Sequence, residues 1–250
     1  MADSGVGSEM RSAKKIIGVI PARLDSKRLP GKVLRPIAGK AMVHWVYENA
    51  RRSALISDLF VATDSEEVEG YCRRHNLPVT MTGRHPSGSD RIHEVMERSD
   101  GDIYVNIQGD EPTLRPDHLE LLLGPILSSA AAVTTLKVAV EESAARDPNN
   151  VKVVTDMNGF ALYFSRHPVP YDRDGSGGIR YFKHIGLYAY TREALSLFHR
   201  MPQSSLELAE KLEQLRFLQN GIPILVAETP HDTIGVDTEA DLQRVIRILS

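Results

Sequence analysis

Ile16-Ile17-Gly18-Val19-Ile20, running into Pro21-Ala22-Arg23-Leu24-Asp25-Ser26-Lys27-Arg28-Leu29-Pro30-Gly31-Lys32, is the stretch that decides the fold. The first five residues are apolar, mostly β-branched and stopped by a proline, which reads as a short buried strand. The next twelve place four cations, Arg23, Lys27, Arg28 and Lys32, within ten positions of a loop punctuated by Pro30 and Gly31. In an open α/β sheet, a loop at the carboxyl end of a strand is where ligands bind. Arg offers a planar fork to phosphate oxygens and Lys a compact point charge, so a polyphosphate suits this loop. A solvated charged loop is the plainer alternative, and the position directly after the first strand argues against it.

Outward from this stretch, strand and helix patterns alternate. Residues 42–52 carry Met42, Val43, Val46, Tyr47 and Ala50 at helical spacing. Residues 59–62 read as a strand, and Asp64 or Ser65 caps a helix running to His75. Residues 78–81 are extended, 89–98 helical, 103–107 a strand and 116–127 a helix. This rhythm predicts a three-layer αβα, Rossmann-like arrangement with a mixed, mainly parallel sheet. The second half reads differently. Residues 151–155 and 160–164 flank Asn158-Gly159, a hairpin signal, and 184–190 form a further strand. One long amphipathic helix is expected to carry Leu206, Ala209, Leu212, Leu215, Arg216 and Leu218, before a strand at 224–227. Thr238 with Asp241 caps a last helix reaching Leu249. The prediction is a single domain over 16–250, with a smaller antiparallel excursion at about 151–220.

Composition narrows the function classes. The 250 residues are 42% hydrophobic and 25% charged, which suits a chain with a sizeable core. A net charge of −3 gives no general attraction to nucleic acid or an anionic membrane, and neither is expected as a partner. Cys72 is the only cysteine, so no intramolecular disulfide or cysteine zinc cage can form within one chain. The nine histidines are scattered without ligand spacing. Residues 1–15 are polar and small, with no apolar secretory core, and read as a disordered lead-in. The longest apolar runs fall short of a bilayer, and a cytoplasmic location is expected.

A second constellation is Val105-Asn106-Ile107-Gln108-Gly109-Asp110-Glu111-Pro112, an apolar strand running straight into Gly-Asp. It places a carboxylate at the same edge of the sheet as the cationic loop. Gly235-Val236-Asp237-Thr238 offers a partner and reads as a short strand ending in Asp237 just before a helix. Mg²⁺ binds through one or two carboxylates plus substrate phosphates, so Asp110 and Asp237 are candidate ligands. No Walker loop and no Gly-x-Gly-x-x-Gly fingerprint follows the first strand, which removes the main support for kinase and dehydrogenase readings.

These three motifs together resemble the nucleotide-sugar cytidylyltransferases. Ser87-Gly88-Ser89-Asp90-Arg91, Ala161-Leu162-Tyr163-Phe164-Ser165-Arg166, His184-Ile185-Gly186-Leu187-Tyr188 and Leu212-Glu213-Gln214-Leu215-Arg216 resemble one branch of that family. It is the branch that activates 3-deoxy-D-manno-octulosonate (Kdo) for lipopolysaccharide assembly. The similarity runs from Ile16 to the C-terminus. It implies a nucleotidyltransferase fold and a reaction in which CTP and Kdo give CMP-Kdo and pyrophosphate. By motif position, the resemblance assigns the triphosphate to Arg23 and Lys32, with Ser26 and Arg28 supporting the loop. It assigns Mg²⁺ to Asp110 and Asp237, and the cytosine and ribose pocket to Pro21, Ala22, Ser87, Arg91 and Gln108. Arg166, His184, Tyr188, Glu213 and Gln214 would face the acid sugar, and a homodimer built through the second half is implied.

Some positions depart from the family pattern. Lys27 stands where a small hydroxyl residue is usual, Thr82-Gly83-Arg84-His85-Pro86 is short and basic, Arg115 replaces an apolar residue, and the loop after Asp174 is brief. Two other readings stay open: CTP-dependent transfer to another acid acceptor, such as 8-amino-Kdo or a phosphonate, and a non-catalytic nucleotide-sensing module. The Asp110 and Asp237 pair beside Arg23 and Lys32 speaks against the sensing module, because nucleotide binding alone does not require two carboxylates.

Overall fold

The computed structural model describes residues 14–26, 28–175 and 177–250. The expected lead-in therefore falls mainly outside the described residues, as do Lys27 and Ser176. Lys15, placed in that lead-in, is instead tied down: its ammonium reaches Asp100 at 2.6 Å and Asp58 at 3.3 Å.

Strand β1 (Ile16–Pro21) opens the chain, and a small ribbon of β2 (Pro36–Ile37) and β3 (Lys40–Ala41) leads to helix α1 (Met42–Arg51). Then come β4 (Asp58–Thr63), α2 (Glu66–Arg74), β5 (Val79–Met81), α3 (Gly88–Glu97), β6 (Ile103–Asn106) and α4 (Pro116–Leu127). The second half holds β7 (Val133–Val140), α5 (Glu142–Ala145), β8 (Lys152–Thr155), β9 (Ala161–Ser165) and β10 (Tyr181–Thr191). It ends with α6 (Arg192–Arg200), α7 (Ser205–Glu210), α8 (Leu215–Gln219), β11 (Leu225–Glu228) and α9 (Glu239–Leu249).

The main sheet runs β11-β7-β10-β6-β1-β4-β5, with β8 and β9 attached through β10. β1 is parallel to both β4 and β6, and β4 to β5, as expected for strands joined by crossover helices. β10 runs antiparallel between β6 and β7, and it is the seam where the parallel half meets the antiparallel one. Residues of β1 alternate between two cores. Ile16 and Ile20 pack with Val46, Val68 and Leu122 from α1, α2 and α4. Ile17 and Val19 pack with Ile92, Leu195 and Phe217 from α3, α6 and α8. Both faces of the sheet are thus covered by helices, and the three-layer reading holds.

The capping residues read from the sequence act as such. The Ser65 hydroxyl accepts from Val68 N–H, and Thr238 and Asp241 form a reciprocal capping box on α9. Each such cap is worth about 1 kcal/mol. Three expectations change. The single long helix is two short ones, because Lys211 turns left-handed (φ 56°) between α7 and α8. Gly235-Val236-Asp237 forms no strand; Val236 N–H instead donates to the Asp110 carbonyl at 2.9 Å. The strand placed at 184–190 is part of the longer β10, whose register shifts between Ile185 and Tyr188. Among the described residues no helix is long and apolar enough to cross a membrane.

Candidate active site

The cationic loop leaves β1 and closes on itself through Gly31 N–H to the Leu24 carbonyl, 3.3 Å. Gly31 takes a left-handed conformation (φ 65°) that starts the short turn carrying Lys32 inward. The Lys32 side chain is mostly buried, and its ammonium donates to the Asp110 carboxylate, to Asp237 Oδ1 at 3.0 Å and to the Val236 carbonyl at 3.3 Å. Burial works against that charge. The attraction of Asp110, and after it Asp237, outweighs burial and holds the Lys32 pKa above its ordinary value. Arg28 completes the cluster through Nη2 to Asp237 Oδ2 at 2.8 Å.

Gly109 explains how the two loops come so close. A Cβ there would lie 2.7 Å from the Pro21 carbonyl oxygen, a main-chain atom that cannot swing aside. A residue with a side chain would push the Asp110 loop away from the cationic loop.

A cavity of about 960 Å³ runs from this cluster into the antiparallel half. Its lining includes Pro21, Arg23, Arg28, Lys32, Ser87, Arg91, Gln108, Asp110 and Asp237 at one end. Arg166, His184, Tyr188, Glu213 and Gln214 line the far end that the antiparallel half adds, with Glu213 reaching back to Ser89, between Ser87 and Arg91. Two sequence candidates are not in the lining: Ala22 is fully buried behind the wall, and Ser26 stands aside from it. Of the wall residues, Ser87 caps α3, accepting from Asp90 N–H at 3.1 Å, and Arg91 is buried against Asp64 (3.0 Å) and Thr82. Gln108 donates to Asn106 Oδ1 at 3.2 Å.

The far end has different chemistry. His184 Nε2 lies 3.0 Å from Thr135 Oγ1, and the Thr135 hydroxyl is 2.7 Å from the Leu187 carbonyl. A hydroxyl that donates to that carbonyl accepts from the imidazole, so Nε2 carries the proton. Burial, with a further push from Lys183, lowers the His184 pKa to about 3, and the ring is neutral near pH 7. Glu213 accepts from Ser89 Oγ at 2.7 Å, and burial raises its pKa. Tyr188 Oη and Gln214 Nε2 are buried with no hydrogen-bond partner among the described residues. Arg166 spends Nε on the Glu210 carbonyl (2.8 Å) and Nη1 on the Pro148 carbonyl (3.0 Å).

Glu111 carries no role in the sequence reading, although it sits in the quoted Gly-Asp stretch. It lines the cavity, its Oε2 has no partner among the described residues, and burial, with Asp110 beside it, raises its pKa to about 7. Ser89, Thr135 and Lys183 are likewise unassigned. Thr135 lies on β7, a strand that the sequence reading passes over.

The donor set fits a hard cation. Asp110 and Asp237 both reach a common point, Lys32 Nζ, and both offer only oxygen, the donor that Mg²⁺ prefers. Among the described residues no three His, Cys, Asp or Glu side chains gather around one point, so substrate oxygens would have to complete the coordination.

Comparison with known proteins identifies the family. The cytidylyltransferase family profile matches residues 17–227. The 3-deoxy-manno-octulosonate cytidylyltransferase of Koribacter versatilis is 54% identical over 236 residues, covering 94% of this chain and 90% of that protein. The protein of the same name from Acidobacterium capsulatum is 53% identical, covering 95% and 98%. Among solved structures, a CMP:2-keto-3-deoxy-manno-octonic acid synthetase complexed with CTP superposes with a TM-score of 0.89. That match has 45% identity and covers 94% of this chain and 98% of the other. With its profile, sequence and fold matched over most of its length, this chain belongs to the cytidylyltransferase family.

Proposed function

We propose that this chain transfers a cytidylyl group from CTP to the anomeric hydroxyl of Kdo, releasing pyrophosphate and forming CMP-Kdo for lipopolysaccharide assembly. The observation that carries the reading is one cavity with two chemistries: a Lys32-Asp110-Asp237 cluster at one end, and at the other Arg166 beside buried, unpartnered polar atoms of Tyr188 and Gln214. The names of the close relatives support it.

The hydroxyl attacks the α-phosphorus and pyrophosphate leaves in line, so the protein's task is positioning and charge neutralisation. Arg23 and Lys32 neutralise the triphosphate, with Arg28 behind them and Ser26 supporting the loop. Pro21, Ala22, Ser87, Arg91 and Gln108 form or back the pocket for cytosine and ribose. Asp110 and Asp237 would hold Mg²⁺, which when bound supplies charge to polarise the α-phosphate and lower the pKa of the attacking hydroxyl. At the far end, Arg166 has N–H groups left over for a carboxylate. Tyr188 Oη, Gln214 Nε2, neutral His184 and Glu213 suit sugar hydroxyls.

The enzyme works in the cytoplasm as a homodimer. Leu162 on β9, 62% exposed, and Met157 in the adjoining hairpin turn, fully exposed, offer an apolar surface for the partner. Cross-linking and sedimentation test the dimer.

The test of the reaction is pyrophosphate release with Mg²⁺ and CTP over a panel of Kdo, 8-amino-Kdo, a sialic acid and simple phosphonates, with UTP, ATP and GTP as controls. Release with Kdo and CTP is expected. Release only with another acceptor would keep the chemistry and replace the substrate, whereas CTP binding without any release would favour nucleotide sensing.

A further inference from the structure

Lys152 has no exposed surface, and it is one of the largest fully buried side chains of the molecule. It opens β8 and does not itself line the cavity. Its ammonium is surrounded by three main-chain carbonyls: Asp147 at 3.0 Å, Asn150 at 2.6 Å and Arg166 at 2.6 Å. An ammonium has three N–H donors, so the cage satisfies it completely. The carbonyls come from two separate segments, the loop at 147–150 and the end of β9.

Both segments form the wall at the far end of the cavity, where Asp147, Asn149, Asn150, Val151 and Arg166 all contribute. Two further bonds cross the same junction. Arg166 Nη1 donates to the Pro148 carbonyl at 3.0 Å, and His184 N–H donates to the Val151 carbonyl at 2.8 Å. The loop therefore spans Arg166 and His184, two of the groups that face the acid sugar in the proposed reaction. Burying an ammonium is costly, and an apolar side chain of similar length would spare that cost. Such a side chain would leave three carbonyls without a donor and remove what holds the loop against Arg166.

Building on the proposed reaction, we infer that Lys152 is a positioning residue for the acceptor: its caged ammonium fixes the 147–151 wall and Arg166 in the relation that the acid sugar requires. It touches neither substrate. The nucleotide end, built on β1, β6 and the segment before α9, does not depend on it.

The experiment compares wild type, Lys152→Met, Lys152→Arg and Lys152→Ala by steady-state pyrophosphate release and by direct CTP titration. The expected result for Lys152→Met is a rise of tenfold or more in the acceptor KM, with CTP affinity within twofold of wild type. Lys152→Arg retains the charge and is expected to show a smaller rise in the same direction. Propylammonium added to Lys152→Ala is expected to recover part of the loss, because a free ammonium can enter the same carbonyl cage. An unchanged acceptor KM, or a parallel loss of CTP affinity marking a general structural role, would overturn the assignment. If Lys152→Met does not fold, Lys152→Arg and the propylammonium series decide by the same readouts. Wild-type turnover on the acceptor panel comes first. Silence there overturns the proposed reaction and the acceptor role together, whereas wild-type turnover with an unmoved KM in the variants overturns only Lys152.

Discussion

At one end of the cavity Lys32, Arg28, Asp110 and Asp237 meet as two cations and two carboxylates, every one bonded to another. At the other end burial holds His184 neutral and raises the Glu213 pKa, and Tyr188 and Gln214 carry buried polar atoms without partners among the described residues. The first arrangement suits a triphosphate, where charge must be balanced and excess cations would trap product. The second suits a polyhydroxylated sugar, because unpaired buried hydrogen-bonding groups reject molecules that cannot satisfy them. On the proposed reaction, one cavity would hold a highly charged donor and select its acceptor with different residues.

The sharpest way to break this contrast is Asp110→Asn, which removes one carboxylate while keeping its shape. We expect turnover to fall about 10³-fold, since metal-assisted charge stabilisation is worth several kcal/mol and each factor of ten about 1.4. The thermal midpoint should move little, because Lys32 keeps Asp237 at 3.0 Å. Undiminished pyrophosphate release would end the metal assignment. Lys32→Ala comes next. It loses charge-assisted phosphate bonds of about 1.5–3 kcal/mol, so the CTP KM should rise about 10- to 100-fold while the acceptor KM stays within about threefold. The opposite split would mean that the two ends have been exchanged.

The far end can be examined by pH. His184 falls from 6.5 unfolded to about 3 folded, so between those values the unfolded chain binds a proton that the native one refuses. This group's contribution is complete above about pH 6.5 and declines as pH drops towards 3, by at most about 1.4 kcal/mol per unit. Urea melts from pH 7 to 5 should therefore show a shallower pH dependence in His184→Asn, and an identical slope would mean that the ring is not buried neutral. The smallest effect belongs to Tyr188→Phe. Deleting a hydroxyl that makes no hydrogen bond among the described residues should leave stability and CTP affinity alone. The acceptor KM should rise about fivefold, the value of one hydrogen bond near 1 kcal/mol. A drop in stability would show that the hydroxyl already has a partner within the protein.

How far the residues announced all this also differs between the ends. The charged cluster proposed for the nucleotide was legible because its residues are local: β1 runs directly into the cationic loop, and β6 directly into Gly109-Asp110. Even Asp237 could be found, since the Thr238 and Asp241 box marks the start of α9, although its segment meets Asp110 through one main-chain bond rather than as a strand. The end proposed for the acceptor was visible only as scattered motifs. Its frame depends on β7, whose first six residues are all buried and so show no alternation to read. It also depends on Lys211, an ordinary helix former that turns left-handed and breaks an unbroken apolar period into α7 and α8. Lys152 shows no signal at all in the sequence, because the carbonyls that cage it belong to the main chain.

The cluster around Lys32 has a consequence for the order of events during synthesis. Its ammonium bridges to a carboxylate 78 positions away and to another 205 away. Contacts of that separation cannot form until the intervening chain has been made, although the added loop-closure cost grows only slowly with length. β1, β4, β5 and β6 could pair while the rest of the chain is still being made, and the cationic loop would emerge with its first aspartate alongside. The second aspartate joins only when residue 237 has left the ribosome. A nascent or truncated chain would thus expose a cationic loop with only one of the two carboxylates that balance it.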